Sequence, residues 1–202
     1  MGSIIQRGVN PTTFLRDAKI QGFGMQEGLI DPNICSDVSW ELEEAGYLVD
    51  YTEQVPVKYI ADNNMRATRL LHSTIERLVG YVEDDGYQHL PLFSVRIFEP
   101  GEHSTTIHRN HSSIGPWAIG ITLAGEASFQ VYDQNVLDDY WDTMPLVGDG
   151  NDPTPIAEMG ADAGSAWTLY TENEQLPHSG GLVTSTERRE LLIFYSMNWL
   201  NQ

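Results

Sequence analysis

Hydrophobic and polar positions along the chain fall into two regimes that meet near residue 90. Before it, the spacing is helical. Between Asn63 and Val82 the residues Leu70, Leu71, Ile75, Leu78, Val79 and Val82 approximate one face of a helix. Asn63 or Asn64 can cap its start, and Asp84-Asp85-Gly86 ends it. A weaker helical pattern covers Val38 to Ala45. Residues 1–89 therefore read as a mixed, partly helical support.

After residue 90 the period shortens. Leu90–Phe98, Thr105–Arg109, Trp117–Leu123, Ala127–Tyr132, Ala166–Thr171, Gly181–Thr184 and Arg189–Met197 are short and rich in β-branched and aromatic residues. Gly, Pro, Asn and Asp separate them, as they separate the strands of a sandwich or barrel. The interval Asp133–Ser165 breaks this rhythm. It holds eight acidic residues, several Gly and Pro, and no Lys or Arg, and reads as an acidic loop insert. The fold class expected is mainly β, one domain over residues 1–202, with the barrel at 90–202.

Length and composition narrow the function. A chain of 202 residues has room for one domain with a real core. The longest apolar runs are strand-sized, which argues against a membrane partner. The first six residues lack the basic-then-apolar order of a secretory leader, and the single cysteine, Cys35, allows no internal disulfide. A cytoplasmic location is expected. With 29 acidic residues against 11 basic and a net charge of −18, the surface repels phosphate backbones, so nucleic acid is excluded as a partner. A solvated acidic surface is one explanation of that charge; attraction of a cationic or amine-bearing small molecule is the sharper one.

Five short segments then occur in a telling order: Val95-Arg96-Ile97-Phe98-Glu99-Pro100-Gly101, Thr105-Thr106-Ile107-His108-Arg109-Asn110-His111, Gly120-Ile121-Thr122-Leu123-Ala124-Gly125, Leu176-Pro177-His178-Ser179-Gly180, and Arg188-Arg189-Glu190-Leu191-Leu192-Ile193-Phe194-Tyr195. This order resembles the 2-oxoglutarate/Fe(II) oxygenase superfamily. There a strand ending in Pro-Gly leads to a His-x-Asp/Glu pair, an apolar strand with a Leu-x-Gly turn follows, and a distal His precedes a strand opening with Arg. The resemblance covers residues of about 90–198 and implies a double-stranded β-helix, the jelly-roll or cupin-like barrel, with helical N-terminal elements. It also implies Fe(II), 2-oxoglutarate and O2 as cofactors, and a small-molecule hydroxylase, with halogenase, desaturase or cyclase as other outcomes.

Two imidazoles and a carboxylate on one face of iron leave positions open for an oxo-acid and dioxygen. By resemblance His108 and His178 are the metal ligands. Positions i and i+2 of a strand share a face, so the third ligand position falls on Asn110. This departs from the common carboxylate. The aspartyl/asparaginyl β-hydroxylase branch and the iron halogenases also lack it, and the ending Arg189–Phe194 resembles that of the former. His111 is an alternative third ligand, giving a cupin-like three-histidine metalloenzyme without 2-oxoglutarate. A non-catalytic jelly-roll binding protein is the other rival. His72, His89 and His103 carry no motif and read as structural.

A 2-oxoglutarate binder needs a cation for the distal carboxylate. No Lys or Arg lies between Asn110 and Glu187, leaving Arg96, Arg109, Arg188 and Arg189 in the barrel. The family places this anchor about ten residues after the distal His, at Arg188 or Arg189. Arg188 shares a strand face with Glu190, whereas Arg189 shares one with Leu191, Ile193 and Tyr195; Arg189 is the expected anchor. Trp117, Tyr140, Trp141 and Trp167 are candidate substrate contacts.

Overall fold

The computed structural model describes residues 4–48, 55–83, 90–102, 106–110, 114–137, 143–144, 152–170 and 176–197. Two helices open it, α1 (Thr13–Gln21) and α2 (Pro32–Glu44), with strand β1 (Phe23–Gln26) between them. The Asp31 carboxylate accepts the Asn33 N–H at 2.9 Å with Pro32 at the first helical position, so α2 starts earlier than the Val38 expected from its apolar spacing. A short strand β2 (Val55–Pro56) and helix α3 (Lys58–Asp62) precede the long helix α4 (Arg66–Glu83).

Helix α4 is capped from outside rather than by the expected asparagines. Glu41 of α2 accepts the Ala67 N–H at 2.8 Å and the Thr68 N–H and hydroxyl at 2.9 Å each. These are two of the first-turn donors that a helix cannot satisfy itself, and the carboxylate also meets the positive end of the helix dipole. Glu41→Ala should cost about 1–2 kcal/mol of unfolding free energy, as loss of an N-cap does, measurable by urea denaturation. Leu71, Ile75 and Val79 face the core as expected, and His72 and Glu76 are buried with them. His72 Nε2 lies 2.8 Å from the Leu90 carbonyl and Glu76 accepts the Leu90 N–H at 2.9 Å, which pins the entry to the barrel. His72 is structural, as its lack of a motif suggested.

Eight further strands, β3 (Leu92–Phe98), β4 (Ile107–His108), β5 (Ile114–Ala124), β6 (Ala127–Val131), β7 (Thr143–Met144), β8 (Ala157–Ala161), β9 (Ala166–Tyr170) and β10 (His178–Val183), lead to a ninth, β11 (Arg189–Met197). They form two antiparallel sheets, β1-β9-β5-β11-β3-β2 and β7-β4-β10-β6-β8. Strand β8 corrects the expectation of a continuous loop over 133–165. Its residues, Ala157-Glu158-Met159-Gly160-Ala161, have weak β propensity, but Met159 and Ala161 turn inward and the strand pairs with β6 throughout. The first 90 residues also join the sheet, β1 beside β9 and β2 beside β3.

The larger sheet is buried on both faces. Leu192 and Phe194 of β11 join Trp117, Ile119 and Ile121 of β5 in a core shared with the helices. The alternate residues Leu191, Ile193 and Tyr195 point the other way, into a second core with Phe129, Val131 and Met159 of the smaller sheet. The site lies in this space between the sheets. Gly125 sets its geometry at one end: its φ is +71°, and a Cβ there would lie 2.8 Å from Arg189 Cα. The tight turn after β5 thus packs against the start of β11. No described helix is long and apolar enough to cross a membrane.

Candidate active site

Strands β4 and β10 are antiparallel neighbours, and His108 and His178 stand directly opposite each other. Residues so paired share a face, and the two rings lie 4.3 Å apart between centroids at 53°. Each ring is held by the carbonyl two residues before it. His108 Nδ1 is 2.8 Å from the Thr106 carbonyl, and His178 Nδ1 is 3.1 Å from the Leu176 carbonyl. A carbonyl only accepts, so each Nδ1 donates its proton and each Nε2 keeps its lone pair. That arrangement is the one that prepares an imidazole for a metal.

The electrostatics agree. Burial, then the neighbouring His108, then Arg96 hold His178 well below the usual imidazole range, while burial and Arg96 lower His108. Both rings are therefore neutral at pH 7 and able to ligate. Asn110 lines the same pocket, and its buried Nδ2 has no hydrogen-bond partner among the described residues. No group of three His, Cys, Asp or Glu side chains spaced for a metal occurs among the described residues; the pocket brings together two imidazoles and an amide. His111, the alternative ligand, lies outside the described residues, as do His89 and His103.

Opposite the histidines, β11 presents Arg189, Leu191, Ile193 and Tyr195 to a pocket enclosing about 360 Å³ of space including its mouth. Arg189 is 1% exposed, and burial lowers its guanidinium to about 10, still a cation at neutral pH. Arg188 lies on the other face. Its Nε donates to Glu190 at 2.9 Å, and Glu190 also accepts from Ser39 of α2. The alternation of β11 thus separates the two arginines as expected.

Arg96 of β3 also lines the pocket, opposite Leu191 in register and diagonal to Arg189. Arg109 does not line it; its guanidinium donates to the Gln134 carbonyl at 2.6 Å.

Of the four aromatic candidates only Trp167 is seen in the site, since Trp117 is core and Tyr140 and Trp141 lie outside the described residues. Trp167 stacks on Phe129 with centroids 4.4 Å apart and planes at 2°. Sequence reading missed Phe129, although the buried alternation Ala127, Phe129, Val131 was there to place it on the inner face.

The chain matches several solved structures in fold. A prolyl-4-hydroxylase from Pseudomonas putida is 11% identical, with 98% of this chain and 97% of that one covered at a TM-score of 0.57. HygX from Streptomyces hygroscopicus, solved with nickel and 2-oxoglutarate bound, is 13% identical over 92% and 87% at 0.60. The non-haem α-ketoglutarate-dependent epimerase SnoN of nogalamycin biosynthesis is 14% identical over 93% and 83% at 0.59. The fold is the double-stranded β-helix. No protein-family model and no curated protein matches the chain in sequence. Within this double-stranded β-helix, the paired histidines sit on the smaller sheet and the buried arginine on the larger.

Proposed function

We propose that this chain is a non-haem Fe(II)- and 2-oxoglutarate-dependent oxygenase that hydroxylates a small molecule. The observation that carries the proposal is one pocket holding two neutral imidazoles with free Nε2 atoms opposite a buried arginine. Likeness in fold to 2-oxoglutarate-dependent enzymes supports it.

In this reading His108 and His178 hold the iron, with Asn110 at the third protein position. Arg189 takes the distal carboxylate of 2-oxoglutarate with its planar fork of donors. Leu191, Ile193 and Phe129 supply a dry wall, which strengthens that ion pair. When bound, the iron supplies the redox chemistry: dioxygen and 2-oxoglutarate yield CO2 and succinate, and the second oxygen atom enters a C–H bond of the substrate.

The expectation of an amine-bearing substrate rests on the overall charge of −18, and four of the eight acidic residues of 133–165 lie outside the described residues. The described wall contributes Arg96 and Arg189 and no carboxylate, which supports a ligand carrying negative charge.

Calorimetric titration of 2-oxoglutarate into anaerobic, iron-loaded protein tests the proposal. Binding near one equivalent that requires the metal, followed by succinate release when air is admitted, is the expected result. Metal binding without any 2-oxoglutarate binding would instead favour the three-histidine metalloenzyme. Failure to bind iron would favour a non-catalytic binding protein.

A further inference from the structure

We propose that the indole N–H of Trp167 donates a hydrogen bond to a carboxylate oxygen of the bound 2-oxoglutarate, as a second donor beside Arg189. The inference rests on the oxygenase reading and names a binding residue within it.

Trp167 is 3% exposed and lines the pocket, yet its buried Nε1 has no hydrogen-bond partner among the described residues. Buried donors in folded proteins are paired in the great majority of cases, so an unpaired one on a pocket wall asks for a ligand. The other buried tryptophan among the described residues makes the contrast: Trp117 Nε1 donates to Glu83 at 2.9 Å. The indole is also fixed in place. Phe129 stacks on one face. Gly120, opposite Trp167 in the β5–β9 register, leaves the space its edge fills, because a Cβ there would lie 2.1 Å from Cε2 and 2.5 Å from Nε1.

Glycine in a strand interior weakens the strand, and Gly120 has no left-handed φ to explain it. What it provides is room for this ring. A phenylalanine would fill a greasy wall equally well; an indole adds a donor. An anion drawn from water into a pocket walled by Leu191, Ile193 and Phe129 needs each of its oxygens met by a donor. Two arginines and the indole N–H are among the donors on that wall.

The test uses full-length protein with 15N-labelled tryptophan, loaded with redox-inert zinc. Five tryptophans give up to five indole signals, and Trp167→Phe identifies one by its loss. Contacts from that indole proton to Gly120 assign the same signal in the wild type should the variant fold poorly. Adding 2-oxoglutarate should move the Trp167 signal downfield. In anaerobic iron-loaded protein, Trp167→Phe should raise the dissociation constant for 2-oxoglutarate about tenfold, as loss of one hydrogen bond to a charged group does. An unmoved signal, or a constant within about twofold of the wild type, overturns the proposal. If the wild type binds no 2-oxoglutarate, the oxygenase reading itself fails; binding that ignores Trp167 sinks only this inference.

Discussion

Replacing His178 with alanine should abolish stoichiometric iron binding. His178 is one of two imidazoles that face each other across β4 and β10, and its Nδ1 is already committed to the Leu176 carbonyl. Its Nε2 is then the atom left for a metal. Losing even an outer-shell partner of a metal site costs about 10- to 100-fold in affinity, and loss of a ligand from a site this sparse should exceed that. His108→Ala should behave alike. Metal content after gel filtration measures both, and circular dichroism checks that the fold survives. Stoichiometric iron in either variant would sink the proposed site.

Two companion variants decide the third position. Asn110→Asp should tighten iron, because a charged oxygen replaces a neutral amide beside the metal. Unchanged affinity there, together with loss in His111→Ala, would transfer the role to His111.

The second large effect is expected at the cation opposite. Arg189→Ala should weaken 2-oxoglutarate binding by about 10- to 150-fold, equivalent to the 1.5–3 kcal/mol of a hydrogen bond to a charged group. Arg188→Ala should leave that affinity nearly unchanged. Arg188 is about a third exposed and bound to Glu190 on the helix side of the strand, away from the pocket. Its loss should appear in stability instead, since among the described residues the buried Glu190 would keep only the Ser39 hydroxyl. An equal loss of ligand affinity in both variants would show that the two faces of β11 had been misassigned.

That face assignment is legible in the sequence because β11 alternates without interruption. Its bounds, Arg189–Met197, match the expected segment, and each apolar residue has a definite side to go to. The histidines were legible for a different reason, their order among the other segments. His178 was expected just ahead of a strand beginning at Gly181; it is instead the first residue of β10. The run Ser179-Gly180-Gly181 has poor strand propensity, and pairing with β6 overrides it. Helix α1 and strand β1 escaped notice because they bury little of their own. Only Phe14, Leu15 and Ala18 of α1 face the core, and β1 is four residues long. Gly120 gave no hint at all: the ring it accommodates is 47 positions away in the chain, a pairing that only the sheet register creates.

Strands β1 and β2 end the larger sheet on its two sides. A protein cut back to residues 90–202 would retain both proposed ligands and the arginine, but β9 and β3 would become bare edges. Each would offer an unpaired row of N–H and C=O groups, a template onto which another chain can add. The helices that cover Leu192 and Phe194 would go as well, leaving apolar surface next to those edges. The opening segment is in this sense a chaperone in cis: it covers the edges of the barrel, and a minimal barrel should self-associate.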